Sequence, residues 1–127
     1  MLSALSEENR ALVLWLELTR EPTEHVLNEI CEKHELFKKL ASQIYFVLRK
    51  GENHTQDQTL LKTRGLLPEV EILFHDFGET YAEFSRQVGR NPGKLPLAAI
   101  MENGRDCIFS DCGYNVGMAD TLLRILE

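Results

Sequence analysis

Residues 95–104 read Leu95-Pro96-Leu97-Ala98-Ala99-Ile100-Met101-Glu102-Asn103-Gly104: a proline directly before a short apolar run, then Asn-Gly. A five-residue apolar run bounded by turn residues has the length of a strand, not of a helix. Asn103-Gly104 is the strongest short-range hairpin signal, because both central residues of its tight turn need positive φ. Cys107 to Ser110 then supplies the antiparallel partner. Beyond the hairpin, Met118, Ala119, Leu122, Ile125 and Leu126 recur at helical spacing and predict an amphipathic helix at the end of the chain.

Upstream, strands and helices alternate. Pro68 opens a strand over Val70–Phe74, and Tyr81, Phe84 and Val88 form the buried stripe of a helix that Gly89 and Asn91-Pro92-Gly93 end. Gln43–Arg49 is rich in β-branched and aromatic residues and reads as a buried strand, with a further helix over residues 56–64 after Gly51-Glu52-Asn53-His54. Ala11–Leu18 (ALVLWLEL) has almost no polar alternation and reads as a central strand, with Trp15 in the core. Thr19 to Glu24 turns the chain into a helix, since proline suits a first helical turn and acids there complement the dipole. One continuous amphipathic helix should follow, with Leu27, Ile30, Cys31, His34, Phe37 and Ala41 inward and Glu29/Lys33 and Glu35/Lys39 as surface i,i+4 pairs. Residues 1–10 form a polar lead-in to a single domain over 11–127.

The order β-α-β-α-β-α-β-β-α is that of an α/β chain. Right-handed crossovers make strands 1–3 parallel, and the hairpin adds two antiparallel strands. The expected five-stranded mixed sheet has order 3-2-1-4-5, with helices on both faces in a three-layer α/β/α sandwich.

Composition narrows the function. With 127 residues, 43% hydrophobic and 27% charged, the chain can bury one compact core. A net charge of −6 without a Lys/Arg stripe argues against nucleic acid as a partner. The longest apolar run, Ala11–Leu16, is far short of the roughly 20 residues that span a bilayer, and the N-terminus has no basic leader. No membrane role and a cytoplasmic location are therefore expected. Cys31, Cys107 and Cys112 have neither CxxC spacing nor an even count, which argues against a disulfide framework. On one regular strand Cys107 and Cys112 would lie about 16 Å apart on opposite faces, beyond the roughly 7 Å between Cα atoms that a disulfide allows.

The element order, with Pro96 before the fourth strand and a hairpin before the last helix, resembles the thioredoxin superfamily, more closely its peroxiredoxin-like branch. Leu95 to Gly104 resembles the cis-proline and hairpin segment of thioredoxins. His75-Asp76-Phe77-Gly78-Glu79 through Gly89 is similar to the Asp-containing loop and helix before that proline in peroxiredoxins. Glu21-Pro22-Thr23-Glu24 resembles the Cys-Pro-Thr-Glu that opens the catalytic helix there. The resemblance implies a cis Leu95–Pro96 bond, with Leu95 near Thr23. It also implies a degenerate redox site at Arg20, Glu21, Pro22, Thr23, Glu24, Leu95 and Pro96. Glu21 stands where a peroxiredoxin carries its thiolate, and the thioredoxin register puts Arg20 and Thr23 at the two cysteine positions. Neither register keeps the sulfur that is itself the reacting atom.

A narrower resemblance rests on Leu-Trp-Leu-Glu, Glu-Pro-Thr-Glu-His-Val-Leu-Asn-Glu, Lys-Leu-Pro-Leu and Cys-Gly-Tyr-Asn-Val-Gly. These look like the thioredoxin-like module at the C-terminal end of some bacterial transglutaminase-like proteins. The resemblance implies a non-catalytic module without cofactor, in contact with a protein partner or a neighbouring domain of the same polypeptide. The alternative is an atypical thiol-disulfide oxidoreductase or peroxidase using Cys31, Cys107 or Cys112.

In a sheet of this kind the C-terminal strand ends share one edge, where ligands bind. Glu17, His25, Arg49, His75 and Asp76 should gather there as a polar cleft. The same charges also read as surface ion pairs, each contributing about 0–1 kcal/mol. Cys31 and His34, at i,i+3, and His75-Asp76 do not assemble by spacing into the three or four ligands a metal needs, so no metal is expected. Cys112 to Gly117, ahead of the last helix, reads as turn chemistry before it reads as an anion cradle.

Overall fold

Six consecutive residues, Ala11 to Leu16, are buried, the first five of them in a strand whose two faces are both covered. The computed structural model describes residues 10–17, 21–40, 43–49, 70–89, 95–102, 106–113 and 115–126, and of residues 21–24 the backbone alone. Its elements are β1 (Arg10–Trp15), α1 (Glu21–Glu32), α2 (His34–Leu40), β2 (Gln43–Arg49), β3 (Glu71–His75), α3 (Glu79–Gln87), β4 (Leu97–Glu102), β5 (Asp106–Cys112) and α4 (Met118–Leu126). The expected helix over 56–64, Pro68, the Asn91-Pro92-Gly93 stop and the Asn103-Gly104 turn lie outside the described residues, as do Thr19, Arg20 and residues 1–9.

The sheet order is β3-β2-β1-β4-β5, as the element order predicts. β1 runs parallel to β2 and antiparallel to β4, β2 is parallel to β3, and β4 is antiparallel to β5. Alternate residues divide the core in two. Leu12, Leu14, Phe46 and Ile100 face α1, α2 and α4, whose Leu27, Ile30, Phe37 and Leu122 cover them. Val13, Trp15, Val47 and Ala99 face α3, whose Tyr81 and Phe84 close the other side. Trp15, Phe37, Phe46 and Phe84 are fully buried, and burying each such phenylalanine contributes about 1.5–3 kcal/mol. β1 opens at Arg10, the last residue of the expected lead-in, whose Nη1 donates to Ile125 O at 2.6 Å. That places a cation at the carbonyl end of α4, where the helix dipole favours it.

Three sequence expectations fail for tertiary reasons. The single helix over 21–41 is two, turned at Lys33: Lys33 N donates to both Glu29 O and Ile30 O at 3.2 Å, and α2 restarts from Lys33 O. Its spacing pattern could not register the turn, because Phe37 remains an inward position of α2. The Glu29/Lys33 surface pair gives way to longer-range partners. Glu29 is half-buried and accepts from Gly117 N at 3.3 Å and Ala119 N at 3.1 Å, while Lys33 Nζ lies 3.2 Å from Asp120. Finally, Ile100 pairs with Phe109 and Met101 with Cys107, which leaves Ile108 as an extra residue in β5. This bulge reverses the side-chain parity, so Cys107 and Cys112 pack on the same face, against the Trp15 core.

Candidate functional site

The carboxyl ends of β1, β2 and β3 share one edge of the sheet, and β4 starts from it after a cis Leu95–Pro96 bond. Pro96 is buried and its carbonyl accepts Gly113 N at 2.8 Å, which ties the turn to the end of β5. Leu95 is half-buried against the Trp15 core. Across the sheet, Leu73, Val47, Trp15, Leu97 and Cys112 form one row by register, all on the α3 face. Aromatic rings thicken this end of the core: Phe77, Tyr81 and Phe84 lie 5.3, 5.3 and 5.5 Å from Trp15 between ring centroids, and His75 lies 6.1 Å away. Trp15 Nε1–H is buried with no acceptor among the described residues.

Glu17 and Arg49 of the predicted cleft meet directly. Arg49 Nη2 lies 3.4 Å from Glu17 Oε2, and the Arg49 guanidinium sits 4.8 Å from the centre of the Phe77 ring. The Arg49 side chain is 56% exposed, so this pair adds little to stability. Asp76 is committed elsewhere. Its carboxylate accepts Gly78 N at 2.8 Å, Thr80 N at 3.3 Å and Thr80 Oγ1, at the start of α3. The Thr80 hydroxyl first, then the Gly78 amide, hold the Asp76 carboxyl below its usual range. A residue predicted for a cleft thus serves to start a helix. His75 joins the Trp15 cluster, and His25 is exposed on the second turn of α1.

α1 begins at Glu21, so the backbone of Glu21, Pro22, Thr23 and Glu24 forms its first turn. Arg20 lies outside the described residues, as do the side chains of Glu21 to Glu24 and with them the expected Leu95–Thr23 proximity. Cys31 packs partly against the α1 side of the core, and Cys107 Sγ–H donates to Phe109 O at 3.2 Å. Cys112, half-buried, is the thiol in the Trp15 row. No disulfide joins the three cysteines, and among the described residues no three His, Cys, Asp or Glu side chains converge on a metal position.

Sequence reasoning missed Phe77 and Glu29. Phe77 was legible as the apolar residue inside His-Asp-Phe-Gly, whereas Glu29 meets its partners 88 and 90 residues away. By occupying the amides that begin α4, Glu29 fills with the protein's own carboxylate the place read as a potential anion cradle. No described helix is long and apolar enough to cross a membrane.

Neither a family model nor a curated protein sequence matches the chain. Solved structures do. StoA from Bacillus subtilis aligns with a TM-score of 0.68 at 10% identity, over 98% of this chain and 87% of that one. A thiol:disulfide interchange protein of the thioredoxin family from Chlorobium tepidum aligns at 0.67 with 12% identity, over 98% and 84%. The exposed lipoprotein thioredoxin of Streptococcus pneumoniae aligns at 0.65 with 14% identity, over 98% and 87%. With the 3-2-1-4-5 mixed sheet and helices on both faces, these likenesses give the chain a thioredoxin-like fold.

Proposed function

We propose that this chain is a non-catalytic thioredoxin-like module that contacts a protein partner or a neighbouring domain, as an accessory of a larger transglutaminase-like protein in the cytoplasm. One observation carries the reading: the scaffold is present to its cis Leu95–Pro96 turn and the start of α1 at Glu21, yet no cysteine occurs before Cys31. Disulfide exchange and peroxide reduction both need a thiolate as the attacking atom, and Arg20, Glu21 and Thr23 supply none. No cofactor or metal enters this reading. The test is insulin reduction and peroxide consumption, by the wild type and by a Cys31/Cys107/Cys112→Ser triple variant. The wild type should show no turnover above a thiol background. Robust turnover abolished in the triple variant overturns the reading.

One observation favours a second reading, an atypical thiol enzyme. Cys112 stands in the Trp15 row, beside the strand that follows the cis-proline. An apparent thiol pKa well below about 8.5 in a variant retaining Cys112 alone supports that reading.

A further inference from the structure

An open hollow of about 100 Å³ lies between β5 and α4. Phe109, half-buried on the strand, and the buried Met118 and Leu122 of the helix form its apolar lining. Asp111, Asn115 and Thr121 supply its polar atoms, and no lysine, arginine or histidine lines it. Val116, also at the hollow, is 91% exposed, against 48% for Leu36 and 39% for Ile108. A cavity of about 150 Å³ holds one benzene and ligand pockets start near 300 Å³, so the hollow admits a single side chain and not a cofactor. The polar atoms left over are chiefly acceptors. Asp111 Oδ2 accepts Asn115 Nδ2 and Oδ1 accepts Cys112 N, both at 2.9 Å. A carboxylate only accepts, so Asn115 must turn its NH₂ toward Asp111 and its Oδ1 away. Thr121 Oγ1 donates to Gly117 O at 3.5 Å and keeps its lone pairs. Both donors to Asp111 are neutral, and among the described residues no cation pairs with it.

We propose that this hollow takes a lysine side chain of a partner protein. Its methylene stem lies on Phe109, Met118 and Leu122, and its ammonium is held by the Asp111 carboxylate, Asn115 Oδ1 and Thr121 Oγ1. The proposal rests on the protein-contact reading and names the group recognised. The inventory of acceptors selects lysine over arginine. An ammonium directs three donors to separate acceptors, whereas a guanidinium fork suits a carboxylate with both oxygens open, and each Asp111 oxygen already holds one donor. The exposed Val116 favours a lysine carried on a protein over a free amine, because its methyl groups gain cover only from the peptide that bears the side chain. Charge favours a basic partner: the chain carries −6, and a second copy would bring the same sign against it. The contact uses side chains alone and asks nothing of the β5 backbone.

The probe is lysine acetylated on its α-amine and capped as the methylamide, titrated into the ¹⁵N-labelled chain. Saturable shifts are expected at the amides of Asp111, Val116 and Thr121 and at the side-chain NH₂ of Asn115. The norleucine analogue, which keeps the stem and lacks the ammonium, should bind about tenfold less tightly, or by about 1.4 kcal/mol, and Asp111→Asn should weaken the lysine probe by a similar factor. Thr121→Val, at an exposed helix position, should weaken the lysine probe and leave the norleucine analogue unchanged. If Asp111→Asn fails to fold, the comparison of probes on the wild type decides alone. A blank titration, shifts centred elsewhere, or equal binding of the norleucine analogue overturns the proposal. Equal binding of the arginine analogue overturns the choice of lysine, and equal binding of n-butylamine overturns a protein source. A dimer in sedimentation equilibrium that Asp111→Asn disperses also overturns it, because the occupant is then a second copy. The two failures are separable: turnover in the insulin assay strikes the non-catalytic reading, whereas a blank titration strikes the lysine site alone.

Discussion

Asp76 and Trp15 lie near the same edge of the sheet and carry opposite weight. The Asp76 carboxylate is held by Thr80 and Gly78, so its pKa in the folded chain lies below its unfolded value. Its contribution is therefore complete above the unfolded pKa of about 3.9 and is lost as pH falls through the lower folded value. Asp76→Asn lowers the melting temperature at neutral pH, and its gap from the wild type should close below about pH 4. Thermal melts across that range check this, and a gap independent of pH refutes the assigned role. Trp15 is the only tryptophan and is fully buried among four rings. Trp15→Ala should cost about 3–5 kcal/mol in urea unfolding. Arg49→Ala, which removes a half-exposed ion pair and a ring contact, should cost no more than about 1 kcal/mol. Equal losses for the two substitutions would mean that the strand-end charges carry more of the fold than their exposure allows.

Elements expose what spacing can and cannot encode. Continuous apolar runs such as Ala11–Leu16 marked buried strands, because a strand covered on both faces needs no polar alternation. Periodicity also found the inward faces of α1, α3 and α4. It could not find the Lys33 turn, because Phe37 of α2 packs into the same core as Leu27 and Ile30 of α1. Nor could it find the Ile108 bulge, which no glycine or proline marks. Glu29 is the sharpest case, since local spacing offered Lys33 while the fold supplied the amides of Gly117 and Ala119. Charged acceptors on helix-start amides are stabilising, so Glu29→Ala should cost about 1–2 kcal/mol. It should also speed hydrogen exchange at Gly117 and Ala119 before other amides of α4. Uniform loss of protection across the helix would show instead that Glu29 acts on the whole packing of α4.

At the scale of the molecule, the topology was legible because few arrangements satisfy right-handed crossovers, a central apolar strand and a closing hairpin together. The site was less so, because Glu17 and Arg49 meet only once β1 and β2 are paired, and Asp76 is claimed by a helix start. α1 begins at Glu21, four residues after Glu17 at the carboxyl end of β1, and that position is testable with one sulfur. In the Cys31/Cys107/Cys112→Ser background, Glu21→Cys places a single thiol at the first residue of α1. The free amides and dipole of a helix N-terminus favour the thiolate, so its pKa should fall below the reference of about 8.5, as read by thiolate absorbance against pH. Turnover should nevertheless stay at background. Attack on a disulfide leaves a mixed disulfide that a second thiol must resolve, and this variant has none. Restoring Cys31 does not supply one, since ten residues of helix place it about 15 Å away. An unshifted pKa would show that α1 does not present its N-terminal field to residue 21, and the degenerate redox-site reading would fall. A lowered pKa without turnover is the outcome expected of a scaffold that keeps the field and lacks the chemistry.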